Sequence, residues 1–284
     1  MVDLEPTFKD TPDSENKRND ERIGPSYIFG YHPHGIIATG VSSGFTNNGA
    51  GWDEMFPGIK CFVTTLVNQF RVPFYRDYLM ALGVTSVVKN NLKLLLNKGG
   101  SVVIVVGGAR EKGFVKLALE SLDKNGLCLV PVYGFGENDI YNVIFTHDSE
   151  ANRLKRSDDS EDDEELEFQD SSVTFEEASK KFKRLVHQFQ LFLKNNFGWT
   201  LPIVVSRGIF NYDFGILPYR KPINVVFGKP IKISRLYGLN FGDPVKQEEI
   251  DYWHNEYVKG LLEVWKWGKP QFSEPNDEDL KIVE

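Results

Sequence analysis

A chain of 284 residues that is 41% hydrophobic and 13% aromatic is large enough to bury a sizeable core and is expected to form one large domain. Its formal charge of −7 is concentrated in one place: eight acids fall within 157–167, and without them the charge is +1, which leaves no basic footprint for a nucleic acid. No stretch reaches the roughly 18 to 20 apolar residues needed to span a bilayer, and the polar opening over 1–22 lacks the character of a signal peptide.

In chain order, a lead over 1–22 is expected to be disordered. The predicted strands cover 26–31, 60–65, 84–88, 101–106, 127–133, 201–206 and 223–227, each a short run rich in β-branched or aromatic residues. Between them, helical patterns cover 90–98, 114–121, 174–195 and 246–267. The alternation of strands with helices predicts an α/β fold, a sheet flanked by helices, and the unbroken apolar run over 101–106 suits a central strand covered on both faces. The two cysteines, Cys61 and Cys128, lie in such runs and read as buried thiols of a reducing compartment rather than a disulfide. Over 147–172 the composition turns charged and small-polar, too poor in apolar side chains to fold alone. This stretch reads as a disordered acidic insertion dividing the domain into 23–146 and 173–284. Ser157 and Ser160, each followed by acids, match what acidophilic kinases accept, although a solvated loop is the plainer reading.

The most informative segment is Tyr27-Ile28-Phe29-Gly30-Tyr31-His32-Pro33-His34-Gly35. An apolar run delivers two histidines and stops at a proline and a glycine. An imidazole with an ordinary pKa of about 6.5 accepts a proton from an alcohol at cellular pH, so the segment presents a base at a strand end. A His-x-His pair is equally half of a metal site, but Pro33 is an unusual spacer and the remaining histidines, His147, His187 and His254, stand in no ligand motif with it.

Five further segments accompany Tyr31-His32-Pro33-His34-Gly35 in order: Phe74-Tyr75-Arg76-Asp77-Tyr78-Leu79-Met80-Ala81-Leu82-Gly83, Val106-Gly107-Gly108-Ala109-Arg110-Glu111 with Lys112-Gly113-Phe114, Leu129-Val130-Pro131-Val132, Phe135-Gly136-Glu137-Asn138-Asp139, and Arg207-Gly208-Ile209-Phe210-Asn211-Tyr212. Together they resemble the type-2 diacylglycerol acyltransferase family, which also contains monoacylglycerol and wax-ester acyltransferases. Asn211-Tyr212-Asp213-Phe214-Gly215 and Leu280-Lys281-Ile282-Val283 point to its fungal branch.

The resemblance implies a glycerolipid acyltransferase-like fold and the esterification of diacylglycerol to triacylglycerol. Acyl-CoA is then a co-substrate, with no metal, no cofactor and no covalent acyl-enzyme. His34 is the implied base, because some family members replace the first histidine and keep the second; His32 then orients the loop or binds substrate. The broader glycerolipid acyltransferases place an aspartate five positions beyond this base, where the chain has Thr39. Glu111 is the first candidate for the orienting group, ahead of Asp77 or a backbone carbonyl, with a capping or surface role as its alternative.

Gly107 and Gly108 let backbone approach a ligand closely or equally serve a tight turn, and Gly35 is a further candidate for substrate binding. For the anionic end of acyl-CoA the candidates are Arg76, Arg110, Lys112, Arg207 and Arg220, each with a surface ion pair as the plainer role. Family members usually carry a longer loop before the Lys-Gly-Phe segment, whereas here Glu111 runs straight into Lys112. They also place a hydrophobic hairpin ahead of the histidines, so this chain is expected to meet the membrane peripherally, on the cytosolic face of the endoplasmic reticulum or a lipid droplet. The aromatic residues of 252–267 suit a helix at that interface or one packed on the core. Transfer to a monoacylglycerol or long-chain alcohol, a metal-dependent hydrolase, and an inactive lipid-binding relative are the alternatives.

Overall fold

Alternation along the strand Ser26–His32 sets the architecture. Side chains of successive strand residues point to opposite faces, and all seven residues here are buried, so this strand is covered on both sides. The computed structural model describes residues 4–8, 22–35, 38–46, 50–106, 111–145, 203–208, 215, 217–273 and 280. Its strands are β1 (Ser26–His32), β2 (Cys61–Thr65), β3 (Thr85–Ser86), β4 (Ser101–Val105), β5 (Leu127–Phe135), β6 (Asn142–Phe145), β7 (Ile203–Val205), β8 (Asn224–Phe227) and β9 (Ile231–Ile233). Its α-helices are α1 (Thr39–Val41), α2 (Trp52–Met55), α3 (Tyr75–Ala81), α4 (Lys89–Asn97), α5 (Glu111–Glu120) and α6 (Gln247–Phe272).

Seven strands form one sheet in the order β3-β2-β4-β1-β5-β8, with β9 also on β5. The first five run parallel; β8 and β9 pair antiparallel with the two halves of β5. Tyr31 of β1 faces Val105 of β4, and Val63 of β2 faces Val103. The carboxyl ends of β1, β2 and β4 are therefore level, at the edge where parallel α/β sheets bind ligands. The protein has an α/β fold, as the alternation of the sequence predicts.

Each face has its own core. Ile28, Val102, Leu127 and Leu129 pack against α4, α5 and α6 through residues such as Leu96, Phe114 and Trp253. On the other face Tyr27, Phe29, Tyr31, Val103 and Val130 meet Phe45, Trp52 and Phe56. Helix α6 buries Ile250, Trp253, Tyr257, Leu261, Val264 and Trp265, a stripe at helical spacing. Of the aromatic residues of this helix, Trp253, Tyr257 and Trp265 thus belong to the core, while Tyr252, Trp267 and Phe272 are exposed.

By its contacts the chain divides into two units, Met1–Asp139 with Arg220–Glu284, and Ile140–Tyr219. The large sheet belongs to the first; β6 and β7 pair antiparallel in the second. The acidic stretch over 147–172 and the helix predicted over 174–195 lie outside the described residues. Among the described residues no helix is long and apolar enough to cross a membrane. Cys61 and Cys128 are free thiols, and burial raises the pKa of both.

Candidate active site

His32, the last residue of β1, shares a face with Gly30 and points toward α6. The hydroxyl of Tyr257 donates to the Gly30 carbonyl at 3.0 Å and lies 3.0 Å from His32 Nε2. A phenol has one proton, and that proton is given to Gly30, so Nε2 carries the hydrogen and donates to the tyrosine oxygen. A methyl group at Gly30 would collide with this hydroxyl, which explains glycine inside a buried strand. His32 is 7% exposed, and burial alone pulls its pKa down to about 4. At neutral pH it is an uncharged donor tying β1 to α6.

Two residues later the environment is reversed. The His32–Pro33 peptide is cis, Gly35 adopts φ 54°, and His34 is exposed. His34 Nδ1 lies 3.0 Å from the Gly35 carbonyl. A carbonyl only accepts, so Nδ1 carries the proton and Nε2 keeps its lone pair. The turn thus presents an imidazole as an acceptor at the carboxyl edge of the sheet.

Beyond the end of β5, Glu137 is 2% exposed. It accepts the backbone N–H groups of Thr39 and Gly40 at 2.7 and 2.9 Å and the Tyr31 hydroxyl at 2.8 Å. Burial and the adjacent carboxylate push the Tyr31 pKa well above that of an ordinary phenol. The sequence reading singled out neither Glu137, Tyr31 nor Tyr257 for the site. Glu137 belongs to the Phe135-Gly136-Glu137-Asn138-Asp139 segment, but its partners lie about a hundred positions away in the chain and two of them are backbone groups, which no residue pattern encodes.

The structure brings His32, His34 and Gly35 together. Gly107, Gly108 and Arg110 lie outside the described residues, and so does the side chain of Glu111. Lys112, on α5, is paired with Asp251 of α6 at 2.9 Å. Arg76 and Asp77 line a cleft with Arg71, Val72 and Phe74. Arg207 belongs to the second unit, where its Nε donates to the Pro218 carbonyl at 2.8 Å; Arg220 is exposed. Among the described residues no three His, Cys, Asp or Glu side chains gather as a metal site would require.

The profile of the family described as diacylglycerol acyltransferase matches residues 16–159 and 167–283. The chain belongs to the diacylglycerol acyltransferase family. Similar proteins include diacylglycerol O-acyltransferase 1 of Eremothecium gossypii, 40% identical over 277 residues that make up 92% of this chain and 51% of that protein. Diacylglycerol O-acyltransferase 1 of Saccharomyces cerevisiae is 39% identical over 282 residues, 94% of this chain and 57% of its own length. Diacylglycerol O-acyltransferase 2A of Umbelopsis ramanniana is 35% identical over 278 residues, 91% of this chain and 66% of its own. The chain spans little more than half the length of the first two relatives. No solved structure matches it. His32, His34, Glu137 and Tyr257 all fall within the ranges shared with the diacylglycerol acyltransferase family.

Proposed function

We propose that the protein transfers an acyl group from acyl-CoA to the free hydroxyl of diacylglycerol, with His34 as general base. The observation that carries this reading is the His34 Nδ1 contact with the Gly35 carbonyl, which leaves Nε2 as a proton acceptor on an exposed turn. In the reaction Nε2 takes the hydroxyl proton as the alcohol oxygen attacks the thioester carbon. The new C–O bond forms, the C–S bond breaks, and the imidazolium returns its proton to the departing thiolate, so no proton is gained or lost overall.

His32 serves as a tether rather than a second base, because its Nε2 is already a donor to Tyr257. For the phosphates of acyl-CoA, Arg76 is better placed than Lys112, since Arg76 lines a cleft beside a second arginine, Arg71, while Lys112 shares its charge with Asp251. The acceptor is a membrane lipid, so we place the reaction at a lipid surface, the cytosolic face of the endoplasmic reticulum or a lipid droplet. Phe74, Tyr78 and Met80, exposed by 87%, 58% and 55%, support this placement: the segment carrying them follows β2 at the same sheet edge as His34.

The test is labelled acyl-CoA with a panel of alcohol acceptors in micelles. His34→Ala is expected to lower turnover by about 10²- to 10⁴-fold, the usual worth of a general base, whereas His32→Gln keeps measurable activity. Full activity in His34→Ala refutes the assignment, and exclusive transfer to another alcohol replaces the acceptor.

A further inference from the structure

The geometry points to Glu137 as a positioning residue for this reaction: its buried carboxylate fixes the turn that carries His34, and through that turn the orientation of the imidazole. The inference rests on the reading of His34 as the base.

Glu137 touches the His34 turn before, within and after it. Before it stands Tyr31, whose hydroxyl donates to Oε2 at 2.8 Å. After it come Thr39 and Gly40, whose N–H groups reach Oε1 and Oε2 at 2.7 and 2.9 Å. These belong to the first turn of a helical segment, where backbone N–H groups have no partner within the helix. Within the turn lies Gly35, at φ 54°, where an added Cβ would stand 2.7 Å from Glu137 Cγ. Gly35 therefore rests directly on the glutamate stem.

The route taken by Tyr31 is also built for this contact. A Cβ on either Gly40 or Gly134 would overlap the Tyr31 hydroxyl, so two glycines clear the path by which a strand residue reaches the carboxylate. An apolar side chain would fill the same space, but it would leave the part-buried Thr39 N–H, the buried Gly40 N–H and a buried phenol without this acceptor, which is costly. Ionised carboxylates form the stronger, more directional hydrogen bonds, and direction is what a positioning role requires.

The link to His34 is the Gly35 carbonyl, which receives Nδ1–H. With Glu137 in place this carbonyl is held, one tautomer is favoured, and Nε2 is available to the alcohol. Without it the turn loosens, the second tautomer gains population, and fewer molecules present a bare Nε2 in the right direction.

The purified full chain tests this. Glu137→Gln keeps the shape but puts an amide N–H₂ against donors. We expect kcat to fall by about 10- to 100-fold, the range that a misplacement of about 1 Å costs, while KM for acyl-CoA stays within about threefold because ground-state binding is untouched. The ¹⁵N shifts of the His34 ring should move from the Nδ1–H tautomer toward a mixture. Tyr31→Phe, which removes one donor and keeps the ring, should show a smaller fall in kcat and a smaller shift in the same direction; it decides the matter alone if the glutamine variant does not fold. Wild-type kcat and an unchanged tautomer in these variants would overturn the inference, as would a loss wholly explained by less folded protein. If the wild-type chain transfers no acyl group to any acceptor, the enzymatic reading fails, and the ring shifts still report whether Glu137 orients His34.

Discussion

His32 and His34 are separated by one proline, yet they differ in burial and in the ring nitrogen that meets a hydrogen-bond partner. His32 ends a strand whose even-numbered residues face α6, so it is buried and neutral; His34 lies past the strand end and is exposed. The depressed pKa of His32 has a consequence for stability. Its folded value is about 4, against about 6.5 when unfolded. Between those values the unfolded chain takes up a proton that the folded chain refuses, so stability is fully present above pH 6.5 and falls as pH drops through the window, by at most about 3 kcal/mol. His32→Gln retains a donor for Tyr257 and cannot titrate. Urea midpoints at pH 7 and pH 4.5 should separate more for the wild type than for this variant, and equal separations would show that another group sets the acid limit. Both histidines were legible in the sequence, because an apolar run ending in His-Pro-His-Gly is a local pattern. Their division of roles was not, since it depends on Tyr257, 225 positions away from His32, and on the period-two alternation of a strand whose exact end the sequence does not mark.

At the scale of elements the long, strongly patterned segments were readable. The strands expected over 26–31 and 127–133 appear as Ser26–His32 and Leu127–Phe135, and the helices over 90–98 and 246–267 appear as Lys89–Asn97 and Gln247–Phe272. Of the short ones, Thr85–Ser86, Ile203–Val205 and Asn224–Phe227 fall inside expected strands, whereas Thr39–Val41, Trp52–Met55 and Ile231–Ile233 contain too few residues to show a period and exist because tertiary partners hold them. Helix α6 shows the limit of periodicity from the other side. A stripe of Trp and Tyr establishes an amphipathic helix without saying what it faces. Trp265 faces β5, with its ring stacked on Phe135 at 5.5 Å and edge-on to Tyr133 at 5.0 Å, and a Cβ at Gly268 would strike the Phe135 ring. Trp267, 57% exposed, points away from this contact. Trp265→Ala should therefore lower the unfolding free energy by about 3–5 kcal/mol, as for large core truncations, and Trp267→Ala by about 0.5 kcal/mol or less. Chemical denaturation of the two variants checks this, and the reverse ranking would mean that α6 presents its other face to the sheet.

For the whole molecule, the parallel sheet gathers its chemistry at one edge. Strand β4 separates β1 from β2, so at about 4.8 Å per strand spacing the exits of β1 and β2 are roughly 10 Å apart. One exit carries His34; the other leads to Phe74, Tyr75, Tyr78 and Met80, all exposed. Phe74 also adopts φ 64°, a costly conformation for a bulky residue that is sustained here with its ring 87% in solvent, and strain of this kind concentrates at functional segments. If this segment enters a lipid surface, each large apolar side chain withdrawn from water contributes about 1.5–3 kcal/mol, roughly tenfold or more in partition coefficient. The double variant Phe74→Ser with Tyr78→Ser should then bind phospholipid vesicles at least about tenfold more weakly than the wild type in co-sedimentation. Transfer to a bilayer-embedded diacylglycerol should fall with binding, while transfer to a short-chain, water-soluble diacylglycerol should persist, because His34 and its supports are unchanged. Undiminished vesicle binding would place membrane contact elsewhere on the molecule, and equal loss with both acceptors would show that these side chains serve the reaction site rather than its delivery to lipid.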